Sequence, residues 1–147
     1  LNIGMAKVAT SAQEAIELDL LIKNRDKVTI GENNLIADAK ASALNLANQG
    51  YTQTVPKKIK VLGKEGLGMF MVGAHSMHAA GYITEHEKLM SEKLAYVICG
   101  GDLSSPTLVS EQYLLNLERE AFLSLCGERK TLERIEYMLK KGKPLRN

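Results

Sequence analysis

Thr84-Glu85-His86-Glu87-Lys88-Leu89-Met90-Ser91-Glu92-Lys93-Leu94-Ala95-Tyr96-Val97-Ile98-Cys99, closed by Gly100-Gly101, is the stretch that decides the fold class. Thr84 and Glu87 stand three apart, the spacing at which a threonine hydroxyl and a glutamate carboxylate each satisfy a backbone N–H at a helix start. Leu89, Met90, Leu94, Val97 and Ile98 then follow at helical spacing, and the two glycines supply the stop. The stretch predicts a helix with one apolar face, which must be buried against another element.

Working outward, the same grammar recurs. Ser11 with Glu14 opens a first helix carrying Ala12, Ala15, Ile16 and Leu18, and Asp19 stands where it should end. Residues 20 to 31 read as a connector with a short extended Val28-Thr29-Ile30. A second helix, Glu32 to Asn48, places Leu35, Ile36, Ala39, Ala43, Leu46 and Ala47 on one face before Gly50. From Tyr51 to Gly68 the pattern breaks around Pro56; Ile59 to Leu62 reads as extended, and the glycines at 63, 66 and 68 read as a flexible linker. A third helix is expected from Met69 to Ala80, ahead of Gly81. Past the Ser104-Ser105-Pro106 loop, Ser110 to Leu125 turns Leu114, Leu117, Ala121 and Leu125 inward. Thr131 to Lys140 carries Leu132, Ile135, Met138 and Leu139, and Gly142 and Pro144 end it. The expected fold is all-α, with five to six helices and at most a very short strand. Two helices occupy residues 1–50, a linker 51–68, and a four-helix region 69–147.

Composition agrees. The chain has 147 residues, enough to bury a core without disulfides or metals. Aromatic residues are 5% and tryptophan is absent, which favours helix packing over a β-sandwich or barrel. No apolar run approaches the roughly 20 residues of a membrane span, so a soluble protein is expected. Cys99 and Cys126, in a chain without a secretory signal, read as buried free thiols of a reducing compartment, with the cytoplasm as the default. The chain begins at Leu1 rather than Met, which reads as a piece of something longer.

The net charge of +2 hides an acidic middle and a basic end: residues 129–147 hold seven basic and two acidic side chains. Such a field attracts phosphates; equally, cations near a helix C-terminus complement its dipole. Nucleic-acid binding fits poorly, because no aromatic platform is interleaved with the cations.

Other candidates weigh little. His75 and His78 lie one turn apart and could face one ion, but nothing brings His86 to them, and no metal site is expected. Gly63-Lys64-Glu65-Gly66-Leu67-Gly68 is glycine-rich ahead of a helix yet has neither phosphate-loop nor dinucleotide spacing. Cys99 beside Gly100-Gly101 ends an apolar face and reads as packing. Glu118 and Glu120, two apart, point to different sides of a helix and read as ion-pair partners rather than a cooperating acid and base. The residues alone name no reaction.

Two stretches carry a resemblance. Lys7 to Leu21, with Val28 to Ile30, Leu35-Ile36 and the alanine-rich helix to Asn48, resembles the crotonase (enoyl-CoA hydratase/isomerase) superfamily just after its active-site half. Leu117-Glu118-Arg119-Glu120-Ala121-Phe122-Leu123-Ser124-Leu125, with Thr131 to Leu139 and the terminal Gly142-Lys143-Pro144-Leu145-Arg146-Asn147, resembles the C-terminus of bacterial 3-hydroxyacyl-CoA dehydrogenase/enoyl-CoA hydratase fusion proteins of fatty-acid β-oxidation. The resemblance implies that residues 1–50 end a crotonase-like domain. It also implies that the catalytic glutamates and oxyanion amides lie upstream of Lys7, so this stretch contains no catalytic residue. Aligning Glu118 and Glu133 with the family's acidic landmarks puts Phe122 against the adenine and Lys141 against the phosphates of coenzyme A. The parent would use a CoA thioester and NAD. Its partners would be the rest of its own polypeptide, acyl-CoA and further copies of itself, with neither nucleic acid nor a membrane span. Three positions depart from the family: Met138 stands at a usually aromatic position, Gly142 at one often cationic, and Asp19 where glycine ends a helix. A reading of a different class is a free-standing helical interaction module that docks a protein through Met69, Met71, Met77 and Met90, although the more usual role of such residues is to fill a core.

Overall fold

The computed structural model describes residue 2 and residues 7–147. Its elements are α1 (Ala12–Glu17), a 3-10 turn (Glu32–Asn34) leading into α2 (Leu35–Asn48), β1 (Ile59–Val61), α3 (Gly63–Ala79), α4 (Glu85–Cys99), β2 (Thr107–Val109), α5 (Glu111–Cys126) and α6 (Arg129–Lys141). This is the expected all-α fold, with six α-helices and one two-stranded sheet among the described residues. The chain divides into two compact units, Leu1–Val55 and Pro56–Asn147.

In the first unit Ser11 caps α1, its hydroxyl accepting from the Glu14 N–H at 3.1 Å. The Glu14 carboxylate reaches back to the Thr10 N–H at 2.7 Å and the Thr10 hydroxyl at 2.6 Å, one residue upstream of the usual box. Those hydrogen bonds hold its pKa below the ordinary carboxylate value. Asp19 follows with φ 58°, the left-handed conformation that a helix end asks for and that a non-glycine residue adopts at a cost. Val28-Thr29-Ile30, expected as extended, forms no strand with any of the described residues. Among the described residues of this unit, Ala15 alone is buried. The face of α2 expected to pack inward is exposed along its length.

The second unit has a layered core. α3 and α4 form a hairpin whose centre is Leu67, Ala95 and Cys99, with Tyr96 against them. β1 and β2 pair antiparallel in the register Ile59↔Val109, Lys60↔Leu108, Val61↔Thr107, burying Val61 and Val109 at the ends of the two strands. Leu117 and Ala121 of α5 are buried as expected, and Tyr113 donates its hydroxyl to the Gly100 carbonyl at 3.0 Å, tying α5 to the end of α4. The sequence reads as a loop ahead of α5; β2 forms there because its partner β1, some fifty residues upstream, supplies the pairing.

The glycine run corrects the expected linker. α3 begins at Gly63, not Met69, so residues 63–68 form its first turns. Gly63 has φ 64°, and a Cβ there would lie 2.6 Å from the Leu103 carbonyl oxygen; at Gly66 a Cβ would meet Leu62 at 2.5 Å and the Cys99 sulfur at 3.2 Å. These glycines let backbone and side chains approach closely, so they are packing devices rather than hinges.

Candidate functional site

Phe122 and Lys141 lie on the last two helices. Phe122 is in the second half of α5 and is 56% exposed, so it is not a core aromatic. Its neighbour on the inward face, Ala121, is buried; one step of 100° carries Phe122 out to solvent. Lys141 is the last residue of α6, exposed, followed by Gly142 in the left-handed conformation that ends the helix. Lys140 and Lys141 both stand in the last turn, where cations complement the helix dipole. A shallow depression beside them is lined by Glu133, Glu136, Tyr137, Lys140 and Lys141. Its two carboxylates are engaged: Glu133 pairs with Arg129 at 3.0 Å, and Glu136 with Lys140. Lys141 has no ion-pair partner among the described residues, so its ammonium carries the uncompensated charge of this depression.

A clamp fixes the segment after Lys141. Arg146 donates to both carboxylate oxygens of Glu87, at 2.9 and 3.0 Å from Nε and Nη2, and to the Tyr82 carbonyl. Arg134 lies 3.7 Å from the same carboxylate and donates to the Asn147 side-chain oxygen at 2.7 Å and main-chain oxygen at 3.3 Å. Asn147 donates in turn to Glu133 at 2.9 Å, and the Thr84 hydroxyl donates to the Asn147 carbonyl at 3.1 Å. Glu87 also closes the capping box of α4, accepting from the Thr84 N–H at 2.8 Å. One carboxylate thus caps α4 and holds two arginines, and the Arg146 hydrogen bond foremost keeps its pKa below the ordinary glutamate value. The basic tail therefore spends Arg134 and Arg146 on internal structure. The spacing of Thr84 and Glu87 announced the cap; nothing in it announced Arg146, fifty-nine residues away.

The remaining candidates are dispersed. His78 pairs with Glu85 at 3.0 Å, while His75 is exposed. His86 is 4% exposed and shares a 3.0 Å hydrogen bond with Thr131, linking α4 to α6. Burial, then Arg134 and Lys130, hold its pKa below the ordinary imidazole value. Among the described residues no group of three or more His, Cys, Asp or Glu converges as a metal site. Cys99 is fully buried and burial pushes its thiol pKa up, the opposite of an activated nucleophile; Cys126 is half-buried rather than buried. At the glycine run, the Lys64 N–H donates to the Leu103 carbonyl at 2.8 Å, so the start of α3 is occupied by protein and does not suit a nucleotide phosphate. Glu118 and Glu120, expected as ion-pair partners, have none among the described residues. Met69, Met71, Met77 and Met90 are exposed rather than core fillers. No helix among the described residues is long and apolar enough to cross a membrane.

No protein-family model matches the chain, and no solved structure matches it. Among curated proteins it is 48% identical over 146 residues to a Bacillus subtilis (strain 168) protein described as "Probable 3-hydroxyacyl-CoA dehydrogenase". The match covers 99% of this chain and 18% of that protein, so the chain spans less than a fifth of its relative's length.

Proposed function

We propose that this chain is the C-terminal helical region of a cytoplasmic, homo-oligomeric enzyme of fatty-acid β-oxidation. That enzyme hydrates 2-enoyl-CoA and oxidises the resulting 3-hydroxyacyl-CoA with NAD. The region supplies structure, subunit contacts and part of the coenzyme A site rather than catalytic groups. The observation that carries the dehydrogenase reading is the 48% identity sustained over 146 residues; the hydratase component rests on the crotonase resemblance of residues 7–48.

The coenzyme A subsite is supported by chemistry on α5 and α6. An exposed phenylalanine offers a face on which adenine stacks, and the Lys141 ammonium at the end of α6, without an ion-pair partner among the described residues, meets phosphate as a point charge. The clamp that holds residues 146 and 147 restrains the chain just beyond Lys141, which reduces the ordering cost of using it. NAD is assigned to another part of the parent, since the glycine run lacks dinucleotide spacing and the Lys64 N–H at the start of α3 is taken by the Leu103 carbonyl.

Coenzyme A titration by calorimetry tests the subsite. Lys141→Ala and Phe122→Ala should each weaken binding by about tenfold, the scale of one charge-assisted contact or one stacked ring; unchanged affinity in both would refute it. The chain alone, incubated with crotonyl-CoA, should leave the enoyl absorbance unchanged, and hydration would show that catalytic groups lie within it. The rival reading, a free-standing interaction module, is favoured by the exposed methionines of α3 and gains ground if coenzyme A does not bind at all.

A further inference from the structure

Helix α2 meets the rest of its unit along a polar edge. The Asp38 carboxylate accepts from the Thr29 hydroxyl at 3.0 Å, and Lys27 Nζ donates to the Ser42 hydroxyl at 3.4 Å. Asp38 and Ser42 are the only half-buried residues of this helix, and they lie four apart on one line of its surface. At 100° per residue, Leu35, Ala39, Ala43 and Leu46 form the adjoining stripe, with Ile36 and Ala47 at its border. Every one of these is exposed, Ile36 at 79%. An amphipathic helix in a complete unit turns such a stripe inward; here the polar edge is inward and the apolar stripe outward. Alanines at every fourth position leave a shallow track into which another element can settle, with Leu35, Ile36 and Leu46 closing over it.

We propose that this stripe is the docking face for the remainder of a longer polypeptide of which this sequence is one segment, an inference that rests on the functional reading above. Two observations select that occupant over a transient partner. Among its described residues the first unit buries Ala15 alone, too little apolar surface to hold its fold between encounters, so the cover is permanent. In the Bacillus relative the matching residues are 18% of a much longer chain, which provides surface attached by covalent bonds. The stripe carries no charge, so the face that covers it is apolar.

Cysteine accessibility tests this in a Cys126→Ser background, with Cys99 buried. Ile36→Cys, on the stripe, and Asn48→Cys, on the opposite side of α2, are placed in the 147-residue chain and in the protein encoded by its full reading frame, then treated with a maleimide. Both cysteines should react at similar rates in the chain alone. In the full protein the cysteine at 36 should slow by on the order of a hundredfold, as expected for a site reached only through local opening, while that at 48 does not. Equal rates at 36 in the two proteins, slowing at both positions, or a reading frame with no further residues would each overturn the proposal. Protection of position 36 in the 147-residue chain would also overturn it; sedimentation as a dimer would then assign the stripe to a second copy, and as a monomer to this chain's own residues. Absence of NAD-linked oxidation of 3-hydroxyacyl-CoA by the full protein would refute the functional reading alone and leave the labelling contrast intact.

Discussion

The two units are written in the same local grammar and differ in what that grammar packs against. α1 has a serine cap and α2 a continuous apolar stripe, yet the first unit buries only Ala15 among its described residues. In the second unit, helices of similar amphipathicity, α4 and α5 capped and α3 not, bury Leu67, Ala74, Ala95, Cys99, Leu117 and Ala121, and a strand pair seals one end with Val61 and Val109. The lesson is that periodicity specifies a face, whereas a core requires a second face of matching shape. The first unit has the face without the partner.

Removing buried volume should separate the units most. Leu67→Ala is expected to cost about 3 kcal/mol, the usual range for a buried leucine, read as a lower urea midpoint and faster amide exchange across α3 and α4. A loss below about 1 kcal/mol would mean that the second unit is as loosely built as the first. Glu87→Ala should cost about 2 kcal/mol, because it removes the capping box and leaves the half-buried Arg134 without its carboxylate. Thermal melting checks it, and Glu87→Gln should recover the cap but not the ion pairs.

A smaller effect concerns pH. His86 is buried neutral, with its pKa below the ordinary value of about 6.5. The unfolded chain therefore binds more protons there than the folded one, and stability falls as pH drops below about 6.5. The slope from this group cannot exceed about 1.4 kcal/mol per pH unit. Urea midpoints between pH 5 and 7 should show it, and His86→Asn should flatten it; an unchanged slope would assign the dependence to other groups. In the first unit, Asp19→Gly should stabilise α1 by about 1 kcal/mol at most, since glycine adopts φ 58° without strain. A lower melting temperature would contradict the conformation at residue 19. The smallest effect is expected at Ile36→Ser in the 147-residue chain, within about 0.5 kcal/mol because the side chain is already in water. A larger loss would remove the contrast between the units.

Much of the fold was legible because helix signals are local. Thr84 with Glu87, Ser11 with Glu14, Ser110 and the Gly100-Gly101 stop located helix ends to within a residue or two, since caps and periodicity act over a single turn. Asp19 was also readable, from the kind of residue a helix end requires. The start of α3 was not. Leu62 offers no side-chain cap, and what fits Gly63 there is the proximity of the Leu103 and Ser105 carbonyls, some forty residues on. Phe122 falls on the helix expected for it, whereas Lys141, read as lying just past a helix ending at Lys140, is the last residue of α6; the exposure of both depends on which neighbours α5 and α6 lack.

By itself the sequence determined an all-α fold of five to six helices, most of their ends and which residues share a face, because those follow from backbone hydrogen bonding and a 3.6-residue period. Only the tertiary structure decided that a glycine run is packing rather than hinge, that Glu87 serves Arg146 as well as its own helix, and that the stripe of α2 faces outward. Each of these depends on groups brought together from distant positions, where shape and charge act through space and leave no mark on local spacing.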